Sequence, residues 1–263
     1  MHRLPTIIAG PCAAESFELM TDIALEMKSI TSSLGFPYVF KSSFEKANRS
    51  SFSSYVGPGI DEGLTFLARV AQAVGVRTTT DIHEPWQAEP ASKVVDILQI
   101  PALLSRQTPL ILAAAKTQLP VNVKRGQFMA PWKVHLIKEK VRSVSDAEVI
   151  ITERGTMNGY SDLVVDFRTL VEAREAGCSA GFDATHSVQL PSVGDIESGG
   201  NPKYISSFAL AAAAIGVDFL FFETHPDPAA AKSDGACMIP LGNMGAVLAA
   251  VKATVLAKFP EHS

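Results

Sequence analysis

At 263 residues, with 47% hydrophobic and 19% charged side chains, the chain can bury a sizeable core and is too apolar to be disordered. A formal net charge of −4 gives no support for a nucleic-acid or membrane partner, so any anionic substrate must be captured by locally placed cations. Three cysteines, Cys12, Cys178 and Cys237, are too few and too scattered for a disulfide framework and point to a reducing compartment.

The first ten residues lack the apolar core of a signal peptide, and the most apolar stretch, residues 208–217, is broken by Asp218 and too short to span a bilayer. A cytoplasmic location is the expectation. Strands are predicted over 6–9, 38–41, 77–81 and 94–100, with helices over 18–33 and 59–74 between them. Further strands over 120–124, 148–152, 180–184 and 217–223 alternate with helices over 110–116, 131–141, 163–175, 202–215 and 244–258. The strand runs are near-continuously apolar, as in parallel strands buried on both faces. Alternating strand and helix with right-handed crossovers gives a parallel sheet. Eight repeats predict closure into a (β/α)8 TIM barrel, with an open doubly wound sheet as the lesser alternative. No linker or low-complexity segment splits the chain, so residues 1–263 read as one domain. Gly57, Gly59 and Gly63 have the wrong spacing for a dinucleotide fingerprint and read as a turn opening a helix.

Reactive side chains collect at the predicted C-terminal ends of the strands, the rim where barrel enzymes build their sites. Strand one offers Cys12 and Glu15. Strand two offers Lys41, Ser43, Lys46, Asn48, Arg49 and Ser50. Strands three and four offer Asp81, His83 and Gln99; strands five and six offer Lys124 and Arg154. Strand seven offers His186 and Gln189, and strand eight Glu223 with Asp234 beyond it.

Cys12, His186, Glu223 and Asp234 come from strands seven, eight and one, which are neighbours in a closed barrel. One thiolate, one imidazole and two carboxylates suit a divalent ion such as Zn²⁺, Fe²⁺ or Mn²⁺. The competing reading of Cys12 is a small buried hydrophobe. Lys41, Lys46, Arg49, Lys124 and Arg154 form a second set, suited to phosphate and carboxylate capture, against which stands a solvated basic face. Cys178 and Cys237 read as packing residues, His225 as loop structure and His135 as an exposed helical residue. Trp86 and Trp132 read as packing, with a wall of the site as the alternative.

At these residues the chain resembles the 3-deoxy-D-manno-octulosonate 8-phosphate synthase family of lipopolysaccharide sugar biosynthesis. The matching segments are Ile8-Ala-Gly-Pro-Cys-Ala-Ala-Glu-Ser16, Phe40-Lys-Ser-Ser-Phe-Glu-Lys-Ala-Asn-Arg-Ser-Ser51 and Thr80-Asp-Ile-His-Glu84. They continue with Gln99-Ile-Pro-Ala102, Asn122-Val-Lys124, Thr152-Glu-Arg-Gly155, Phe182-Asp-Ala-Thr-His-Ser-Val-Gln189 and Phe222-Glu-Thr-His-Pro226. The likeness covers nearly the whole chain.

The resemblance implies a homotetrameric barrel that condenses phosphoenolpyruvate with arabinose 5-phosphate and releases phosphate. Cys12 stands where the metal-independent branch carries Asn, which implies the metal-dependent branch, with His186, Glu223 and Asp234 completing the ligands. By the same carry-over, Lys41 and Lys46 contact the phosphoenolpyruvate carboxylate, and Ser43, Gln99, Lys124 and Arg154 form its phosphate site. Asn48, Arg49 and Ser50 serve the sugar phosphate, Arg49 from a neighbouring subunit, with Asp81 near the sugar hydroxyls and Gln189 among the substrate contacts. Lys46, Lys124, Arg154 and His186 are the catalytic candidates. Asn201-Pro-Lys203 departs from the family pattern, which carries Arg there, and implies different closure of the loop after strand seven. The rival within the fold is a heptulosonate 7-phosphate synthase using erythrose 4-phosphate, against which Ala47-Asn48-Arg49-Ser50 speaks. A noncatalytic phosphosugar-binding barrel is the rival of another class.

Overall fold

The computed structural model describes residues 4–47, 54–158, 162–191 and 199–258. Eight strands pair in parallel and in chain order: β1 (Thr6–Gly10), β2 (Tyr38–Lys41), β3 (Arg77–Asp81), β4 (Ile97–Ile100), β5 (Val121–Lys124), β6 (Val149–Glu153), β7 (Ser179–Asp183) and β8 (Phe219–His225). The eighth returns to the first, with Thr6 opposite Phe219 and Gly10 opposite Glu223. This pairing closes the barrel and rules out the open sheet. A short segment, Ile239–Pro240, adds alongside the end of β8.

Helices α1 (Phe17–Leu34), α2 (Ile60–Val74), α3 (Ala88–Ser92), α4 (Thr108–Lys116), α5 (His135–Arg142), α6 (Arg168–Glu175), α7 (Ile205–Ile215) and α8 (Met244–Lys258) follow the strands in turn. Helix α1 shows how the sequence sets its ends. The Ser16 hydroxyl accepts the Leu19 N–H at 3.2 Å, and the chain leaves the helix at Gly35 with φ of 81°. Its buried residues, Met20, Ile23, Ala24, Met27 and Thr31, form one stripe against the barrel. Residues 241–258 are long and apolar enough to cross a bilayer, yet within them Met244, Leu248, Val251 and Val255 are buried at helical spacing.

Two elements depart from expectation. The strand expected from 94 begins at Ile97, because Val94 and Val95 both donate to the Ala91 carbonyl and prolong the α3 turn. That five-residue helix carries Pro90, which hides it from a periodicity reading. The helix expected from 163 begins only at Arg168, where the Asp166 carboxylate accepts the Arg168 N–H. Leu163–Val164 pairs instead with Thr156–Met157 as an antiparallel ribbon.

The strands are buried on both faces, but the two faces differ in chemistry. Outward residues such as Ala9, Phe40, Leu98, Val123, Ile151 and Phe222 join the large core against the helices. Inward residues Ile8, Val39, Ile97, Ile150 and Phe221 form a small apolar plug. One step further along each strand, two residues on, the inward positions become Gly10, Lys41, Gln99, Thr152 and Glu223. The barrel thus changes from apolar floor to polar rim within one pleat. Gly10 is required there, because a Cβ would lie 2.0 Å from the Lys41 carbonyl oxygen.

Candidate active site

Four side chains meet where β7, β8 and β1 adjoin. Cys12 Sγ lies 3.1 Å from Asp234 Oδ2, and Cys12, Glu223 and Asp234 each offer a donor atom within 4.8 Å of the others. His186 Nε2 reaches the same place, 3.4 Å from Glu223 Oε2 and 4.0 Å from Asp234 Oδ2. Asp234 holds its position with φ of 52°, a left-handed backbone that Asp tolerates better than most residues.

Burial, then the nearby Asp234 and Glu223, push the Cys12 thiol well above its ordinary pKa. Burial alone would also raise Glu223, but His186, Lys41 and Lys46 outweigh it and lower that carboxyl. Thiol, imidazole and two carboxylates aimed at one point fit a divalent ion of the borderline class. The ring of His186 is oriented from behind: its Nδ1 lies 2.7 Å from Asp183 Oδ2, the arrangement that presents Nε2 to a metal.

On β5 and β6 the groups are cationic. Lys124 is 5% exposed and Arg154 7%. Lys124 Nζ donates to Asp183 Oδ2 at 2.5 Å and sits 3.2 Å from the centre of the Phe221 ring. Burial lowers its pKa to about 8, against the opposing pull of Asp183. Arg154 Nη2 donates to Gln189 Oε1 at 2.5 Å, and Gln189 Nε2 in turn reaches Asp234 Oδ1 at 3.2 Å. Arg154 Nη1 is buried and has no hydrogen-bond partner among the described residues. A buried guanidinium N–H pair aimed at nothing is costly unless an anion completes it.

Lys41 and Lys46 join the two regions. Lys41 Nζ bonds Glu223 Oε1 and the Cys12 carbonyl, each at 2.9 Å, while Lys46 Nζ stands 4.0 Å from Glu223 Oε1. Burial would lower Lys46, but the surrounding acids more than reverse it, so its pKa is well raised. On β3, Asp81 accepts from the Ser43 hydroxyl and from His83 Nε2. The His83 bond and the charges of Lys41 and Lys46 overcome the effect of burial and hold Asp81 far below the usual carboxylate range. Gln99 Oε1 accepts from Asn122 Nδ2 at 3.3 Å, so it lines the same rim.

The structure therefore brings together Cys12, Lys41, Lys46, Lys124, Arg154, His186, Gln189, Glu223 and Asp234, with Ser43, Asp81 and Gln99 on the same rim. Asn48, Arg49 and Ser50 lie outside the described residues. Sequence reasoning gave no role to Asp183, which touches both Lys124 and His186, although it lies at the end of β7 within the quoted segment Phe182–Gln189. It also missed the roles of Asn122, within its quoted motif, and Ser233, 3.2 Å from Cys12 Sγ. The departure at Asn201 lies on the short antiparallel pairing of Gln189–Leu190 with Gly199–Gly200, and Lys203 rests over the Tyr204 ring. Trp86 and Trp132 are exposed, so neither is a packing residue. Cys178 and Cys237 are buried. His225 Nδ1 accepts the Asp227 N–H, a turn contact. A cavity of about 730 Å³ beside α5, lined by Phe128, Lys133 and Leu136 among others, contains none of the rim groups.

The DAHP synthetase I family profile matches residues 3–256. The 2-dehydro-3-deoxyphosphooctonate aldolase of Bordetella petrii is 50% identical over 248 residues, 92% of this chain and 87% of the relative. The enzyme of that name from Methylococcus capsulatus is 48% identical over 242 residues, 92% and 86% of the two chains. That from Trichlorobacter lovleyi is 46% identical over 251 residues, 95% and 92%.

Proposed function

The chain belongs to the DAHP synthetase I family, and from this premise we propose that it catalyses the reaction for which its octulosonate relatives are named. Phosphoenolpyruvate, D-arabinose 5-phosphate and water give 3-deoxy-D-manno-octulosonate 8-phosphate and phosphate, a step of lipopolysaccharide sugar synthesis. Carbon 3 of phosphoenolpyruvate bonds to the aldehyde carbon, water adds at carbon 2, and the bond from carbon 2 to the phosphate oxygen breaks. The observation that carries this reading is the buried Arg154 guanidinium, whose Nη1 has no hydrogen-bond partner among the described residues, one strand away from the buried Lys124.

Each group then has a task. Lys124, Arg154 and Gln189 grip the phosphate of phosphoenolpyruvate and meet the charge that grows on it as the C–O bond breaks. Ser43 and Gln99 complete that side. Lys46, with Lys41 behind it, faces the carboxylate. Asp81, kept ionised by His83, accepts from the sugar hydroxyls, and Asn48, Arg49 and Ser50 take the sugar phosphate. Cys12, His186, Glu223 and Asp234 hold a divalent ion of the Zn²⁺, Fe²⁺ or Mn²⁺ kind. Bound there, the ion supplies Lewis-acid charge next to the reacting oxygens. Asp183 orients His186 and Lys124 at once. We place the protein in the cytoplasm as a homotetramer of one-domain subunits spanning residues 1–263.

The deciding experiment measures phosphate release from phosphoenolpyruvate with each of two aldose phosphates. Much higher kcat/KM is expected for arabinose 5-phosphate than for erythrose 4-phosphate. Equal or reversed efficiencies would overturn the assignment.

A further inference from the structure

Arg125 follows Lys124 directly, and Glu153 directly precedes Arg154. Neighbouring residues on a strand face opposite ways, so this second pair lies behind the barrel wall that carries the first. Both side chains are 0% exposed. Arg125 Nε donates to Glu153 Oε2 at 2.5 Å and Nη2 to Glu153 Oε1 at 2.8 Å, the bidentate fork that fixes two groups in distance and angle.

Among the described residues, the remaining side-chain hydrogen bonds of the pair reach the segments that follow β5 and β6. Arg125 Nη1 donates to the Gly126 and Met129 carbonyls, and Nη2 to the Thr156 hydroxyl. Glu153 Oε1 accepts the Gly155 N–H at 2.7 Å. The backbones add two bonds, Arg125 N–H to the Thr152 carbonyl at 2.8 Å and Met157 N–H to the Gln127 carbonyl at 3.1 Å. Both turns are tight: Gly155 has φ of 99°, and a Cβ on Gly126 would lie 2.7 Å from Ser105 Oγ.

A buried ion pair is a poor way to gain stability, since well-packed apolar residues of similar size often do as well. A bidentate fork does fix geometry, and here it ties together the two backbone positions next to Lys124 and Arg154. We propose that the Arg125–Glu153 pair is the positioning device of the phosphate grip, setting the separation and aim of Lys124 and Arg154. Neither residue touches substrate. The inference rests on the reading of Lys124 and Arg154 as that grip.

The test compares the intact enzyme with Arg125→Lys, Glu153→Gln and the apolar double variant Arg125→Met/Glu153→Leu. Calorimetric titration gives the Kd of inorganic phosphate, and steady-state kinetics give KM separately for each substrate, at temperatures where circular dichroism shows each variant folded. The double variant should bind phosphate about tenfold or more weaker, with a matching rise in KM for phosphoenolpyruvate, because small misplacement of positioned groups is costly. KM for the aldose phosphate should stay within about twofold, since the pair lies behind β5 and β6 only. Arg125→Lys keeps the charge but loses the fork, so it should shift the same constants in the same direction. It serves as the deciding variant if the double one fails to fold. Unchanged phosphate affinity in folded variants, or equal changes in both KM values, would sink the proposal. If Lys124→Ala also leaves phosphate affinity unchanged, the reading of the grip falls with it; if only the Arg125 and Glu153 variants are silent, the positioning role alone falls.

Discussion

Where β7, β8 and β1 meet, two carboxylates and a thiol crowd one point; on β5 and β6, a lysine and an arginine are buried, and Asp183 pairs with the lysine. In the first region burial, then Asp234 and Glu223, raise the Cys12 thiol, while Lys41 and His186 stand beside Glu223. In the second, burial lowers the Lys124 pKa, and Arg154 Nη1 has no hydrogen-bond partner among the described residues. Buried polar groups are costly when unsatisfied, and by their chemistry the first region suits a divalent cation and the second a phosphate. Asp183 is the hinge between them, with Lys124 and His186 both on its Oδ2.

The sharpest way to break the comparison is to remove one partner at a time. Exhaustive chelation should abolish activity and a divalent transition ion restore it, while the Kd for phosphate on β5 and β6 changes little. His186→Ala and Asp234→Ala should lower bound metal by elemental analysis. Cys12→Asn should lower it sharply too, because an amide is a poor ligand for a soft-leaning ion. Residual activity of Cys12→Asn that no chelator inhibits would mean that the ion chiefly orients reactants; a dead variant would give it a direct part in the chemistry. Wild-type activity indifferent to chelation, with no metal found, removes the cationic partner from the picture.

Next in size are the anion-side truncations. Lys124→Ala and Arg154→Ala should each cost about 2–4 kcal/mol of transition-state stabilisation, read from kcat/KM, as expected for losing a preorganised donor. Their metal content should equal that of the wild type. Loss of metal in either variant would show that the two regions are not separable.

Asp183→Asn should affect both regions at once. Metal affinity should fall roughly 10- to 100-fold, as for other carboxylates that orient a ligand histidine. Phosphate binding should change in the same variant through Lys124. A change confined to one region, by metal titration and phosphate calorimetry, would leave the two independent.

The smallest effect is on pH. With the Lys124 pKa near 8, kcat/KM should fall as pH rises through about 8, because the free enzyme loses the cation that grips phosphate. The limb for kcat should lie higher, since bound phosphate favours the protonated form. The folded value lies below the ordinary lysine value of 10.5, so the unfolded chain binds this proton more tightly. The contribution of Lys124 to stability therefore grows as pH rises from about 8 toward 10.5 and is smallest below 8. Lys124→Arg should move the kinetic limb upward; an unmoved limb assigns it to another group.

The pairing of β8 with β1 decided closure, but the eight-strand parallel sheet follows from the sequence, because eight short β-branched or aromatic runs alternating with helical stretches leave few other ways to bury both faces of each strand. So does the rim, since most strands end in or just before a charged or ligating residue, and the four ligand candidates were legible once strands eight and one were taken as neighbours. Tertiary structure alone decided the rest. Asp183 and Arg125 look ordinary in the chain; Asp183 matters because β7 stands beside both β6 and β8, and Arg125 because the pairing of β5 with β6 sets Glu153 beside it. The pairing of 156–157 with 163–164 displaced the start of an expected helix, because backbone pairing between two segments, which local periodicity does not encode, outweighed the propensity of residues 163–167. Local patterning fixes which residues face inward. Which inward residues touch, and with what charge left over, depends on pairings between strands far apart in the chain.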